Sequence, residues 1–251
     1  YADLLPHLHN LYDLYKLLRK ARTERGAIDF ETTETKIVFD AQRKIEEIVP
    51  VHRNDAHKIV EECMLCANVA TARFLKKHKI PALYRVHDGP SEERLSNLRL
   101  FLGELGLQLG GGDKPSSADY QALLGQVADR PDANVIQMVM LRSLSQAVYS
   151  PEEAGHFGLG FASYTHFTSP IRRYPDLIVH RAIKSRIHNP EATKDLVSPK
   201  VHDPELAEYP YDYARMEQLG EHCSMTERRA DDATRDVMAW LKCEFLRDHV
   251  G

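Results

Sequence analysis

Hydrophobic and polar residues follow the period of an α-helix over most of this chain, with apolar positions three and four residues apart. Alternation with period two is confined to short stretches, which predict strands. The stretches predicted as strands are residues 27–31, 36–40, 45–49 and 82–87. The segments predicted as helices are residues 8–25, 53–79, 91–105, 116–127, 133–149 and 212–249. The pattern therefore predicts an α+β fold that is helix-dominant, with a small antiparallel sheet.

The same pattern divides the chain into four parts. Residues 1–52 are expected to form a helix plus a small β-meander of three strands, and residues 53–188 a helical core. Residues 189–211 are polar and contain prolines, which is typical of a surface loop. Residues 212–251 form the C-terminal helix, and the capping-box spacing of Ser224 and Glu227 indicates a break near Ser224.

Composition limits the function classes without choosing one. The 251 residues, with 43% hydrophobic and 28% charged content, can bury the core of one large domain or most of one. Because the formal net charge is -4, any surface that binds nucleic acid must be a local basic patch.

Cysteine usage bears on compartment and on metal binding. Four cysteines without a signal peptide or a long apolar run are typical of a reduced protein, which we expect to be cytoplasmic and free of the membrane. Cys63 and Cys66 have C-x-x-C spacing, but they lie in a helical pattern without a second pair. This context favours buried structural thiols over a zinc or redox site, and no zinc is predicted.

The segment from Tyr164 to Arg181 carries the clearest chemical signal. Ser169 is a good N-cap and Pro170 suits the first helical position, so a helix is predicted to begin there. Arg172 and Arg173 would then lie in the first turn, where the positive end of the helix dipole makes each cation cost about 0.3–1 kcal/mol. A bound phosphate would remove that cost. The alternative is that Asp176, four and three residues further on, pairs with both arginines.

Around this segment the chain resembles a known enzyme family. Residues 156–160 (HFGLG) and 164–174 (YTHFTSPIRRY), with Asp176 and His180, resemble the signature of the ribonuclease II/ribonuclease R family of 3′-to-5′ exoribonucleases. Further stretches resemble the ribonuclease R branch, so the resemblance covers nearly the full chain. These stretches are residues 53–57, 61–64, 81–88, 128–132, 222–225 and 227–231.

The resemblance implies part of an RNB-type catalytic domain that degrades RNA processively to nucleoside 5′-monophosphates. The implied partner is the 3′ end of single-stranded RNA, and a monomer that does not act on DNA is expected. Arg172 is implied to be catalytic, as is a glutamate of the Glu61-Glu62 pair that contacts the ribose near the scissile bond. Glu61 is our choice, with Glu62 left open. Implied RNA-binding residues are Phe30, Ser169, Arg173, Arg85 and His166.

The position of two of these residues in the sequence also bears on their assigned roles. Phe30 aligns loosely with the residue that clamps the 3′-terminal base in the family, but its alternation with Ile28 equally allows a core role. Arg85 and His87 stand at the end of a short predicted strand, from which they could face an RNA channel.

Hydrolysis in the family resembled uses Mg²⁺ held by a closely spaced run of aspartates. This sequence has only isolated candidates, Asp29, Asp40 and Asp55, and none stands in a D-x-D-D type arrangement. No metal ligand is therefore predicted in this chain. The OB-fold domains that flank the catalytic domain in the family are also absent, which suggests a C-terminal portion of that domain that is inactive alone.

Two other functions compete with this interpretation. A metallophosphohydrolase could use His87-Asp88 as a metal-binding doublet with His57 and Asp176, although the doublet stands at a strand end before Gly89-Pro90. An RNA-binding or partner-docking module could use the basic segment without catalysis.

Overall fold

The computed structural model describes residues 2–30, 34–51, 53–189 and 203–247. It is helix-dominant with small antiparallel sheets, which confirms the predicted fold class. After a 3-10 turn at Ala2–Leu4, the helices are α1 (Leu5–Glu24), α2 (Asp55–Lys77), α3 (Glu92–Glu104), α4 (Ser117–Val127), α5 (Ala133–Ser143), α6 (Tyr174–His188), α7 (Pro204–Ala207) and α8 (Tyr213–Arg247). The strands are β1 (Glu34–Phe39), β2 (Ile45–Val51), β3 (Tyr84–Val86) and β4 (Val148–Ser150).

The predicted three-stranded meander is wrong, because β1 and β2 form a two-stranded antiparallel hairpin. Residues 27–30 are not a strand, and Glu31 lies outside the described residues. Ile28 is buried and its N–H donates to the Gly158 carbonyl at 2.8 Å. This backbone segment therefore pairs with a distant loop instead of joining the hairpin.

The predicted helix over residues 133–149 was too long. It ends at Ser143, and residues 148–150 form β4, which pairs antiparallel with β3 so that Arg85 stands opposite Tyr149. Val and Tyr fit a pleated, half-buried surface well, so the available partner strand decides their conformation. This small sheet places Arg85 and Tyr149 side by side.

Helix α8 runs without the predicted break at Ser224. The Ser224 hydroxyl donates to the Gly220 carbonyl at 2.7 Å and accepts the Tyr149 N–H at 2.9 Å. The serine therefore ties α8 to β4 instead of capping a new helix. Gly220 permits this approach, since a Cβ there would lie 2.7 Å from the Tyr149 carbonyl oxygen.

Two apolar clusters hold these elements together. Helices α3, α4 and α5 pack around buried leucines, with Tyr120 hydrogen-bonded to Ser143 at 3.0 Å. A second cluster joins β3 and β4 to α6 and α8 through Leu83, Ile178 and Met216. The second cluster fixes the start of α6 against α8, which is where the candidate site lies.

The predicted surface loop over residues 189–211 is described only in part, because residues 190–202 lie outside the described residues. The remainder contains α7. Within the described part of the chain, none of the helices combines the length and apolar character needed to cross a membrane.

Candidate phosphate-binding site

The residues predicted to begin a helix form a turn instead. Helix α6 begins at Tyr174, five residues after Ser169, and the backbone N–H groups of Arg172 and Arg173 both donate to the Ser169 carbonyl, at 3.3 and 3.0 Å. Pro175 explains the late start, because a proline inside a helix clashes with the carbonyl four residues earlier and is tolerated only in the first turn. We call residues 169–173 the signature turn.

This geometry corrects the dipole argument made from the sequence. Neither arginine lies in the first turn of α6, so the predicted cost of a cation at the positive helix end does not arise. Asp176 occupies that turn instead, where a negative charge is favourable. Any anion site here therefore depends on the arginine side chains more than on the helix end.

Asp176 pairs with only one of the two arginines. Its side chain is fully buried, and Oδ1 accepts the Ser169 N–H and an Arg173 guanidinium N–H, each at 2.8 Å. The alternative interpretation from the sequence is therefore right for Arg173. It is wrong for Arg172, which is exposed and makes no side-chain hydrogen bond or ion pair with any residue that the structure describes.

The segment that leads into the signature turn is fixed by side-chain hydrogen bonds. Asn68, buried on α2, donates to the Tyr164 hydroxyl at 2.9 Å and accepts the Phe167 N–H at 3.0 Å. Thr165 donates to the Leu83 carbonyl at 2.6 Å, and the Phe167 ring stacks on His180 with centroids 4.3 Å apart. The turn therefore starts from a backbone that is already held in place.

His166 lies in an aromatic setting beside the turn. Its Nδ1 is 2.9 Å from the Tyr149 hydroxyl, and its ring meets that of Tyr164 edge to face. Burial lowers the pKa of His166 to about 2, with the charges of Arg173 and Arg85 acting in the same direction. The ring is therefore neutral at physiological pH and can offer a ligand a hydrogen bond or a ring face, but no charge.

Arg85 has partners inside the protein. Its guanidinium lies over the Tyr149 ring, 4.5 Å from the centroid, and donates to Glu227 of α8 at 2.6 Å. The sequence did not predict that Glu227 and Tyr149 are the partners of Arg85. Only the three-dimensional pairing of β3, β4 and α8 brings these side chains together.

Glu61 belongs to a second group of charges, the α1–α2 charge cluster, which consists of Arg19, Arg22, Asp29, Glu61 and Glu62. Arg22 is 6% exposed and donates to all three carboxylates at 3.1 Å, and Arg19 pairs with Asp29 at 2.8 Å. Glu61 also pairs with Arg53. The Glu61 side chain is 30% exposed and that of Glu62 is 5% exposed, so Glu61 is the more accessible of the two.

Phe30 is half-buried and packs against the cluster formed by α3, α4 and α5. It follows Ile28 on irregular backbone and not on a strand. This placement gives the ring a core contact, while its role in stacking on a base remains a prediction.

The described residues do not supply a metal centre. Among them, no group of three or more His, Cys, Asp or Glu side chains is close enough to hold an ion. The His87 ring cannot serve the alternative metal doublet, because Nε2 meets the Ser145 carbonyl at 2.8 Å and Nδ1 accepts the Gly158 N–H at 2.9 Å. Asp29, Glu61 and Glu62 have arginine partners instead.

The cysteine prediction requires correction. Cys66 is exposed and Cys63 is only half-buried, so the pair are not the buried structural thiols expected from the helical pattern. Both stand on α2, whose buried face is carried by other positions such as Leu65 and Val69.

Comparison with known proteins places this geometry in a family context. The model of the RNB domain matches residues 2–189. The chain is 57% identical over 252 residues to ribonuclease R of Vibrio cholerae and 55% identical over 251 residues to that of Escherichia coli, in each case covering 100% of this chain and 30% of the relative. The chain thus spans about a third of the length of these relatives.

Two solved structures are similar in fold. Mycoplasma genitalium RNase R in complex with ribose methylated single-stranded RNA is 29% identical in sequence, with a TM-score of 0.86. The match covers 100% of this chain and 38% of the chain in that structure. The same enzyme in complex with double-stranded RNA is 30% identical, covers 97% of this chain and 42% of its own, and has a TM-score of 0.84.

Proposed function

We propose, from the fact that this chain belongs to the RNB domain family, that it is the phosphate-handling part of a longer ribonuclease R. The parent protein would be a processive hydrolytic exoribonuclease that shortens single-stranded RNA from the 3′ end and releases nucleoside 5′-monophosphates. The observation that supports this most strongly is the Arg172 guanidinium, which is exposed and unpaired among the described residues on a turn that Asp176 anchors.

Arg172 is the residue we propose to be catalytic. A planar guanidinium presents parallel N–H donors that match two phosphoryl oxygens. The phosphoryl group gains negative charge on these oxygens during hydrolysis, and a donor already held in position stabilises that charge without reorganisation. Asn68 accepts the Phe167 N–H just before the turn and Asp176 accepts the Ser169 N–H at its first residue, so the backbone that carries Arg172 is preorganised.

The other proposed site residues have supporting roles. Glu61 has the more accessible carboxylate of its pair and would accept a hydrogen bond from a ribose hydroxyl. Ser169 and His166 would offer hydrogen bonds beside the turn, and Phe30 a ring for the terminal base. Arg173 and Arg85 already have carboxylate partners, so each would make a weaker contact with RNA than Arg172 does.

The parent protein would bind Mg²⁺ through residues outside this chain. Among the described residues no three possible ligands lie close enough together to hold the ion, and arginines bind the carboxylates of Asp29, Glu61, Glu62 and Asp176. The chain alone should therefore bind RNA without hydrolysing it. We further propose that the parent acts as a monomer in the cytoplasm, in line with four cysteines that are all free thiols.

Product analysis of the parent protein tests this function. With 5′-labelled single-stranded RNA and Mg²⁺, we expect stepwise shortening from the 3′ end and nucleoside 5′-monophosphates as products. Nucleoside diphosphates, or degradation from the 5′ end, would refute the proposal. Magnesium-dependent degradation by the purified 251-residue chain would show that the metal ligands are misplaced.

A further inference from the structure

A cleft of about 630 Å³ adjoins the signature turn, between the start of α6 and the first half of α8. Tyr174 forms one side, and Arg215, Leu219, His222 and Cys223 are among the residues of the other. The α8 residues are spaced by three and four, so they share one face of the helix. The volume lies within the range of sites that hold small organic ligands.

The lining combines an aromatic ring, an apolar floor and a positive charge. Tyr174 is 43% exposed, Leu219 and Cys223 supply apolar surface, and Arg215 is the charged residue. None of the described residues that line this cleft is acidic. The acidic residues of the same stretch, Glu217 and Glu221, line a separate cleft on the other side of α8 together with Arg228. Helix α8 therefore turns its positive face towards the signature turn.

Neighbouring side chains hold the Tyr174 ring in place. Arg181 donates to the hydroxyl of Tyr211, the tyrosine beside Tyr174, at 2.8 Å. The interaction with Tyr174 lowers the pKa of Tyr211, and the charges of Arg181 and Arg215 act in the same direction. This corner of the molecule therefore presents a fixed aromatic surface in a positive environment.

We infer that the cleft is a second nucleotide subsite of the RNA strand, in which Tyr174 stacks on a base and Arg215 binds a phosphate. The inference rests on the proposed function, because Tyr174 follows Arg172 by two residues and one strand can reach both. Charge complementarity favours RNA as the occupant, since the cation stands beside an aromatic face without an acidic neighbour in the lining. Single-stranded RNA is held in this way in sequence-tolerant sites.

The test is the affinity of the chain for a fluorescent single-stranded RNA oligonucleotide, measured over a range of salt concentrations. Arg215→Ala should weaken binding by about threefold to tenfold and reduce the slope of log K against log salt by about 0.7, the value for one phosphate contact on a single strand. Tyr174→Ala should weaken binding at least about fivefold, whereas Tyr174→Phe should keep most of the affinity because it keeps the ring. Arg228→Ala, on the opposite face of α8, is the matched control.

Equal affinities of Arg215→Ala and Arg228→Ala would overturn the inference, as would a wild-type chain that does not bind RNA. A loss of thermal stability in Arg215→Ala with unchanged RNA affinity would do so too, and would assign the cleft to protein packing. Product analysis of the parent protein separates this failure from that of the proposed function. If the parent degrades RNA from the 3′ end and Arg215→Ala matches its control, only the subsite is wrong.

Discussion

The two charge-rich regions of this molecule differ in how their cations are paired. In the α1–α2 charge cluster, Arg19 and Arg22 are bound by Asp29, Glu61 and Glu62. In the signature turn, Arg173 is bound by Asp176, while Arg172 has no side-chain partner among the described residues. The ion pairs of the α1–α2 charge cluster hold two helices together, whereas the signature turn keeps one arginine side chain available for a ligand. An unpaired cation on a fixed backbone, more than local charge, therefore marks the candidate phosphate site.

The largest loss of stability should come from breaking the α1–α2 charge cluster. Arg22→Met leaves three carboxylates without their shared donor, and loss of one partner from a buried ion-pair network costs about 3–5 kcal/mol. Urea unfolding of the chain measures this change. Lys16→Met, in an exposed pair with Asp13, should cost less than about 1 kcal/mol. Similar losses in the two variants would show that Arg22 does not organise the cluster.

The next largest loss of stability should come from Asp176, which anchors the signature turn. Asp176→Asn should lower the free energy of unfolding by about 2–3 kcal/mol, because Arg173 loses its buried counter-charge while the Ser169 N–H can still find an acceptor. Asp232→Asn, in an exposed pair with Arg235, should change it by less than about 0.5 kcal/mol. A neutral Asp176→Asn would mean that the turn keeps its shape without the carboxylate.

Histidines near the signature turn that stay neutral in the folded protein should make its stability depend on pH. Burial lowers the pKa of His166 to about 2 and that of His156 to about 3, whereas an unfolded histidine titrates near about 6.5. Between these values the unfolded chain binds more protons, so stability falls as pH drops through about 6.5. From about pH 7.5 to 5.5 these two histidines should together cost about 3 kcal/mol in urea unfolding, about half from each.

Substitution separates this effect from general acid sensitivity. His166→Phe should remove about half of the pH dependence in this window. His9→Phe, at an exposed position of α1, is the matched control. Identical pH profiles for wild type and His166→Phe would show that His166 accepts a proton in the folded protein.

The smallest stability effect concerns Glu61, and it decides between the two adjacent glutamates. Glu61→Gln should cost less than about 1 kcal/mol, because this side chain is partly exposed, whereas Glu62→Gln should cost more. In the parent protein, Glu61→Gln should nevertheless lower turnover if Glu61 contacts the ribose. Loss of turnover only in Glu62→Gln, at matched folded fraction, would transfer the ribose contact to Glu62.

The sequence predicted those features that depend on local signals. Helices α2, α3 and α4 begin within two residues of the predicted positions, because Asn54, Ser91 and Ser116 cap them with their own side chains. These interactions join residues only a few positions apart, which a sequence pattern can show. The helix entry predicted at Ser169 was wrong, so the role assigned to Arg172 stays a prediction.

Features that depend on distant partners were missed. The Ile28 N–H bonds to the Gly158 carbonyl, and the Ser224 hydroxyl accepts the N–H of Tyr149 in β4. The support that Asn68 gives to Phe167 crosses 99 positions of the chain. The sequence could place Asp176 near both arginines, but the choice of Arg173 depends on the shape of the signature turn.

The central claim, that the two adjacent arginines divide anchoring and catalysis, is tested most directly by comparing Arg172→Ala with Arg173→Ala in the parent protein. Single-turnover RNA degradation and thermal unfolding are measured for each. We expect Arg172→Ala to lower turnover by about 10²–10³-fold with unchanged stability, and Arg172→Lys to restore little of it. Arg173→Ala should lose stability, because it leaves Asp176 buried without its partner. Near-normal turnover in Arg172→Ala, or equal stability losses in the two alanine variants, would contradict the account.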